Sequence, residues 1–208
     1  MPLKIGITDC SKWADYESWI KNASEDIEAV LLKAGEGEDS FVSHCDGVIL
    51  IGEGDNTFER NVLKEAEEYK IPILGIGKGL QVGNIYFKGA SSSGLSNEKD
   101  AAHSVSVTKN TRLHHIVGVE KGEIDSHHQT VDEIGKGLIA NAISDDGIVE
   151  GLEKAKKHDA EFFLLVQWHP ERMDANNPFS GKLRTAFLKA CEEYNKYSDL
   201  TQSIIATP

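Results

Sequence analysis

The chain has 208 residues, of which 39% are apolar and 27% charged, and carries a formal net charge of −12. That length suits one core rather than two, and the acidity repels phosphate backbones, so nucleic acid is excluded as an expected partner. No apolar run approaches the roughly 20 residues a membrane helix needs, and the opening MPLKIGITDC has no charged segment ahead of an apolar core, so no membrane contact and a cytoplasmic location are expected.

Leu3–Thr8 reads as a short strand, and Trp13–Ala23 places Trp13, Tyr16, Trp19 and Ile20 at helical spacing. Ile27–Leu32, Asp46–Gly52 and Ile71–Ile76 read as further strands, with a helical pattern over Phe58–Tyr69. Strands alternating with helices predict an α/β fold with a parallel sheet covered on both faces. The second half differs. His103–Thr108 alternates, Leu138–Ile143 and Gly147–Leu152 are short, and the DDG at Asp145–Gly147 is a hairpin-type turn, so an antiparallel addition is expected. Phe162–Trp168 is one more buried strand, and Gly181–Tyr194 has the spacing of a closing helix. One domain over residues 1–194 and a loosely held tail over 195–208 follow. Ser91–Ser96 is the low-complexity patch. Cys10, Cys45 and Cys191 are widely spaced, which suits reduced thiols, and no CxxC pair marks a zinc site.

The segment IPILGIGKGLQVGNIYFKG, Ile71–Gly89, combines a buried strand, a glycine-rich turn and a helix. Such an elbow lifts one residue above a sheet edge while nearby N–H groups face a substrate oxygen. It resembles the P-h-h-G-[IV]-C-x-G-x-Q segment of class I glutamine amidotransferases and their γ-glutamyl hydrolase branch, with Gly77 where the cysteine nucleophile stands. DGVILIGEGD from Asp46 resembles that family's oxyanion loop, D-G-h-h-h-x-G-G-G-D, with Glu53 replacing a glycine. DSHHQ from Asp125 resembles N-S-x-H-H-Q, DDGIVEGLE from Asp145 resembles a family strand pair, and FFLLVQWHPE from Phe162 carries Q-[WF]-H-P-E. These matches occur in the family's order from Leu3 to about Tyr194.

The resemblance implies a three-layer, flavodoxin-like core and a set of roles. His169 corresponds to the base and Glu171 to its orienting partner, with Gly77 a vacant nucleophile position. The Lys78 N–H and one from Gly52, Glu53 or Gly54 correspond to the oxyanion hole, and Gln81 lies one helical turn beyond the elbow. His127, His128 and Gln129 correspond to pocket residues. No metal and no cofactor are expected, because His114, His115, His127 and His128 lack carboxylates at ligand spacing. Three functions are open: an inactive homologue holding a glutamine-like or γ-glutamyl ligand, an active hydrolase using a displaced thiol such as Cys10, and a partner-binding domain of amidotransferase type. Each is compatible with a protein partner or a homo-oligomer. Glycine at the elbow also predicts a positive φ at residue 77.

Overall fold

Apolar runs become adjacent parallel strands where helices return the chain across the sheet. In the computed structural model, which describes residues 2–35, 42–92, 101–126, 130–155 and 161–205, β1 (Leu3–Thr8), α1 (Trp13–Lys21) and β2 (Ile27–Leu32) form the first such unit. β3 (Gly47–Leu50), α2 (Asn56–Tyr69), β4 (Ile73–Ile76) and α3 (Lys78–Tyr86) continue it. Helix α2 starts at Asn56, ahead of the apolar pattern that begins at Phe58, because Asp55 caps it. The Asp55 carboxylate accepts from the amides of Thr57 and Phe58 at 2.6 and 3.1 Å.

The second half contains β5 (Ala90–Ser92), β6 (Ala101–Val107), α4 (Arg112–Val117), β7 (Lys121–Ser126), β8 (Thr130–Glu133), β9 (Leu138–Ser144) and β10 (Val149–Lys154). β11 (Phe163–Val166) and α5 (Gly181–Ile205) close the chain. Among the described residues, nine strands form one sheet in the order β2-β1-β3-β4-β11-β10-β9-β6-β7. From β2 to β11 neighbours are parallel. From β11 to β7 they are antiparallel, and the predicted turn at Asp145–Gly147 joins β9 to β10. β5 and β8 pair separately; Ser91 and Ser92 of the low-complexity patch belong to β5, and its remaining residues lie outside the described ones.

Successive strand residues face opposite layers. Ile49 and Ile51 pack with Ile7, Ile76 and Val166 beneath α1, α4 and α5, whereas Val48 and Leu50 pack with Ile73 and Leu165 beneath α2 and α3. Both faces are therefore buried, which is why these strands read as continuous apolar runs.

The closing helix does not stop at Tyr194. It continues to Ile205, and the Asn195 side chain donates to Asp46 Oδ1 at 2.7 Å. Apolar periodicity ends near Tyr194, but the i to i−4 ladder needs no apolar face, and no glycine or proline interrupts residues 195–205. No helix of the described residues is long and apolar enough to cross a membrane.

Candidate active site at the carboxyl edge of the sheet

Four adjacent parallel strands, β1, β3, β4 and β11, end at the same edge, so the segments that follow them meet there. Those segments carry Ser11, Glu53, Gly77 and His169. Gly77 caps α3 with φ 57° and ψ −118°, the positive φ expected of an elbow. A residue with a β-carbon costs about 1–3 kcal/mol in such a conformation, and glycine avoids most of it. Its amide donates to Val166 O at 2.9 Å, tying the elbow to β11. Gly79 permits a second close approach, since a β-carbon there would stand 2.0 Å from the Leu50 carbonyl oxygen. The elbow and the end of β3 are in backbone contact.

His169 is 8% exposed, and its ring covers Gly77. A β-carbon built on Gly77 would lie 3.1 Å from Cε1 and 3.2 Å from Nε2 of the imidazole. On the other side of the ring, Nδ1 is 2.9 Å from Glu171 Oε1 and 3.3 Å from the Tyr16 hydroxyl. A carboxylate only accepts, so Nδ1 donates to Glu171, and Nε2 faces the Gly77 side. The Glu171 side chain is 1% exposed, and Arg172 Nε lies 3.4 Å from the same oxygen. Burial, followed by the Glu171 charge, pushes the Tyr16 hydroxyl well above the ordinary phenol value, so it stays protonated.

Two cavities adjoin this pair. A small one of about 150 Å³ is lined by Ile51, Glu53, Gly77, Lys78, Gln167, His169 and Arg172. A larger cleft of about 560 Å³ shares Glu53 and Lys78 with it and adds Gly52, Gly54, Arg60 and Gln81, among others. Gln81 Nε2 donates to Gln167 Oε1 at 2.9 Å, locking α3 to the strand that delivers His169. The Glu53 carboxylate accepts from the amide and hydroxyl of Ser11 at 3.1 and 3.0 Å. Partial burial pushes Glu53 upward, but the Ser11 hydrogen bonds and the charges of Lys78 and His169 outweigh it and hold the carboxyl below its usual range.

Every sequence-predicted residue among those described reaches this edge: Gly52, Glu53, Gly54, Gly77, Lys78, Gln81 and His169 line the cavities, and Glu171 stands behind the imidazole. Gly52 does so with a difference. Its N–H turns inward and donates to Glu59 Oε1 at 3.0 Å, so it is not an oxyanion donor. His127, His128 and Gln129 lie outside the described residues. Cys10 follows β1 at the same edge but lines neither cavity. Burial, only partly offset by the Lys12 amide and reinforced by Glu53, pushes its thiol up to about 11. Among the described residues no group of three or more His, Cys, Asp or Glu side chains could hold a metal ion.

Sequence reasoning missed Tyr16, Glu59, Arg60, Gln167 and Arg172 as site residues. Gln167 and Arg172 flank the His-Pro-Glu tripeptide, and Tyr16 reads as an apolar helix position. Glu59 left a usable signal: it precedes Val62, Leu63 and Ala66 at i+3, i+4 and i+7, on the buried stripe of α2.

A glycine-rich strand-to-helix turn, facing an imidazole backed by a carboxylate at the carboxyl edge of a doubly covered sheet, defines a protein of the class I glutamine amidotransferase type. The chain belongs to the Peptidase C26 family, whose sequence profile matches residues 51–171. It is 31% identical over 183 residues to a glutamine amidotransferase-like protein of Lactococcus lactis, covering 81% of this chain and 76% of that one. It is 32% identical over 198 residues to a candidate glutamine amidotransferase of Schizosaccharomyces pombe, covering 86% and 75% of the two chains. The crystal structure of a glutamine amidotransferase from Thermotoga maritima shares the fold, with a TM-score of 0.73 at 13% identity over 92% of this chain and 99% of that one.

Proposed function

We propose that this chain is a non-hydrolysing member of its family, which holds a glutamine-like or γ-glutamyl ligand in the cleft beside Gly77. One observation carries the reading: residue 77, in the conformation of a nucleophile elbow and beneath His169 Nε2, has no side chain. Covalent amide hydrolysis needs an atom there to attack the carbonyl, and without it the acyl-enzyme route is absent rather than slowed. The rest of the site is built. The imidazole is oriented, α3 begins at Lys78 with no side-chain cap, and acidic Glu53 faces the same cleft as Lys78 and Arg60. Charges of both signs suit a zwitterionic amino acid better than a simple anion or cation.

Purified protein is expected to show no glutaminase or γ-glutamyl hydrolase turnover above background, while calorimetry detects binding of glutamine or of a γ-glutamyl amine. Turnover that disappears in His169→Ala would overturn the inactive assignment. If Cys10→Ser abolished it as well, the displaced thiol would replace this reading. Failure of every member of a glutamine and γ-glutamyl panel to bind would remove the ligand class.

A further inference from the structure

Glu59 is a buried ionisable group to which the proposed function gives no role. It stands in the first turn of α2 and is fully buried. Its Oε1 accepts the Gly52 N–H at 3.0 Å and lies close to Gly54. Thr8 is itself fully buried and accepts the Ile51 amide at 2.9 Å. Glu59 thus holds the loop that follows β3, and Thr8 ties its start to the end of β1. Burying a carboxyl is costly unless its hydrogen bonds are made, so the arrangement stands against an apolar alternative that would pack the same space more easily. A purely structural role would be met by leucine. What leucine cannot do is take the Gly52 amide inward, which leaves the Glu53 and Gly54 N–H groups as the loop amides not held by Glu59, on residues that line the cleft.

We propose that Glu59 is a positioning residue, which fixes the Gly52–Gly54 loop so that the amides of Glu53 and Gly54, and not that of Gly52, serve the ligand beside Gly77. The Glu53 side chain is held independently by Ser11, so both ends of that residue are fixed from outside the cleft. This rests on the proposed ligand class, but its first test does not.

Amide resonances of Gly52, Glu53 and Gly54 are followed by ¹⁵N-resolved NMR in the parent, Glu59→Gln and Glu59→Ala, first without ligand and then with L-glutamine and γ-L-glutamylethylamide. In Glu59→Ala, hydrogen exchange at Gly52 is expected to accelerate by about tenfold or more, with β6 and β7 unchanged. Glu59→Gln keeps an acceptor oxygen for the Gly52 amide but replaces the carboxyl group by a carboxamide, so the Gly52 resonance moves even if the alanine variant does not fold. Affinity for whichever probe the parent binds is expected to fall about tenfold or more in Glu59→Ala and to recover to within about threefold in Glu59→Gln. An unmoved Gly52 amide in a folded variant would overturn the proposal, as would parental affinity in Glu59→Ala. If the parent binds neither probe, the ligand reading fails while the amide measurements still decide whether Glu59 positions the loop.

Discussion

The two sides of the site are built to different standards. On the histidine side, His169 is backed by Glu171, approached by Tyr16, and joined through Arg172 to the turn that follows β11. On the elbow side, Gly77 offers backbone alone, and the imidazole rests on the space a β-carbon would occupy. The histidine side is also part of the core: Tyr16 packs in the same cluster as Trp168 and Phe179, and the Glu171 carboxylate is buried. Its groups hold one another in place whatever stands at residue 77. The elbow residue has a single demand on it, a positive φ, and glycine meets that demand with the least strain. A framework and its reactive atom are thus separable in energetic terms.

The strongest way to break this comparison is to place a thiol on the bare side. Gly77→Cys is expected to lose about 1–3 kcal/mol of stability, from the added β-carbon at a strained φ and from its approach to the His169 ring. The new thiol would sit against an imidazole and a helix amino end, both of which favour the thiolate. Cys10 and Cys45 are each pushed up to about 11 by burial. Alkylation by iodoacetamide near neutral pH, mapped by peptide mass spectrometry, is therefore expected to be at least about a hundredfold faster at residue 77 than at Cys10 or Cys45. Equal reactivity, with unchanged stability, would show that residue 77 does not occupy a nucleophile elbow.

Removing the brace on the other side tests whether it belongs to the core. Glu171→Ala leaves His169 Nδ1 without its carboxylate partner and is expected to cost about 1–3 kcal/mol by denaturant titration. A loss of less than a few tenths of a kcal/mol would mean that the pair does not support the fold. Tyr16→Phe removes one buried hydroxyl from the same nitrogen and is expected to cost about 0.5–1.5 kcal/mol. In either variant, a normal thermal transition alongside lost ligand binding would shift the role of the brace from stability toward recognition.

The gentlest probe is pH. Burial, outweighing the hydrogen bond from Gly52, raises Glu59 above its ordinary 4.5. The folded protein therefore keeps a proton that the unfolded chain has already released. The contribution of this group to stability is fully present below the unfolded value and is lost as pH rises through the folded one. The stability of the parent minus that of Glu59→Gln should accordingly fall as pH rises above the ordinary 4.5. A difference that grows with pH would show Glu59 to be a well-paired carboxylate instead.

Much of the site was legible because its parts are tied to strand ends. Gly77, Lys78 and Gln81 follow one buried run, Gly52 to Gly54 follow another, and His169 with Glu171 follow a third, so the order of motifs brought them to one edge of the sheet. Glu59 was harder to read, since an acidic residue on a helix is ordinarily solvated and only its phase against Val62, Leu63 and Ala66 marks it as buried. Tyr16 was hidden for the opposite reason: its ring fits the apolar stripe of α1, and nothing local shows where its hydroxyl ends.

The sequence by itself determined the alternation of strands and helices, the antiparallel second half, the family resemblance and the glycine at residue 77. These follow from local apolar periodicity, turn chemistry and ordered motifs. Tertiary structure alone decided which amide of the Gly52–Gly54 loop turns inward, that His169 covers Gly77 while Tyr16 and Glu171 share its far nitrogen, and that α5 continues to Ile205. The first two depend on contacts between β1, α2, β4 and β11, segments far apart in the chain. Their geometry is set by how the strand ends converge, which local sequence does not encode.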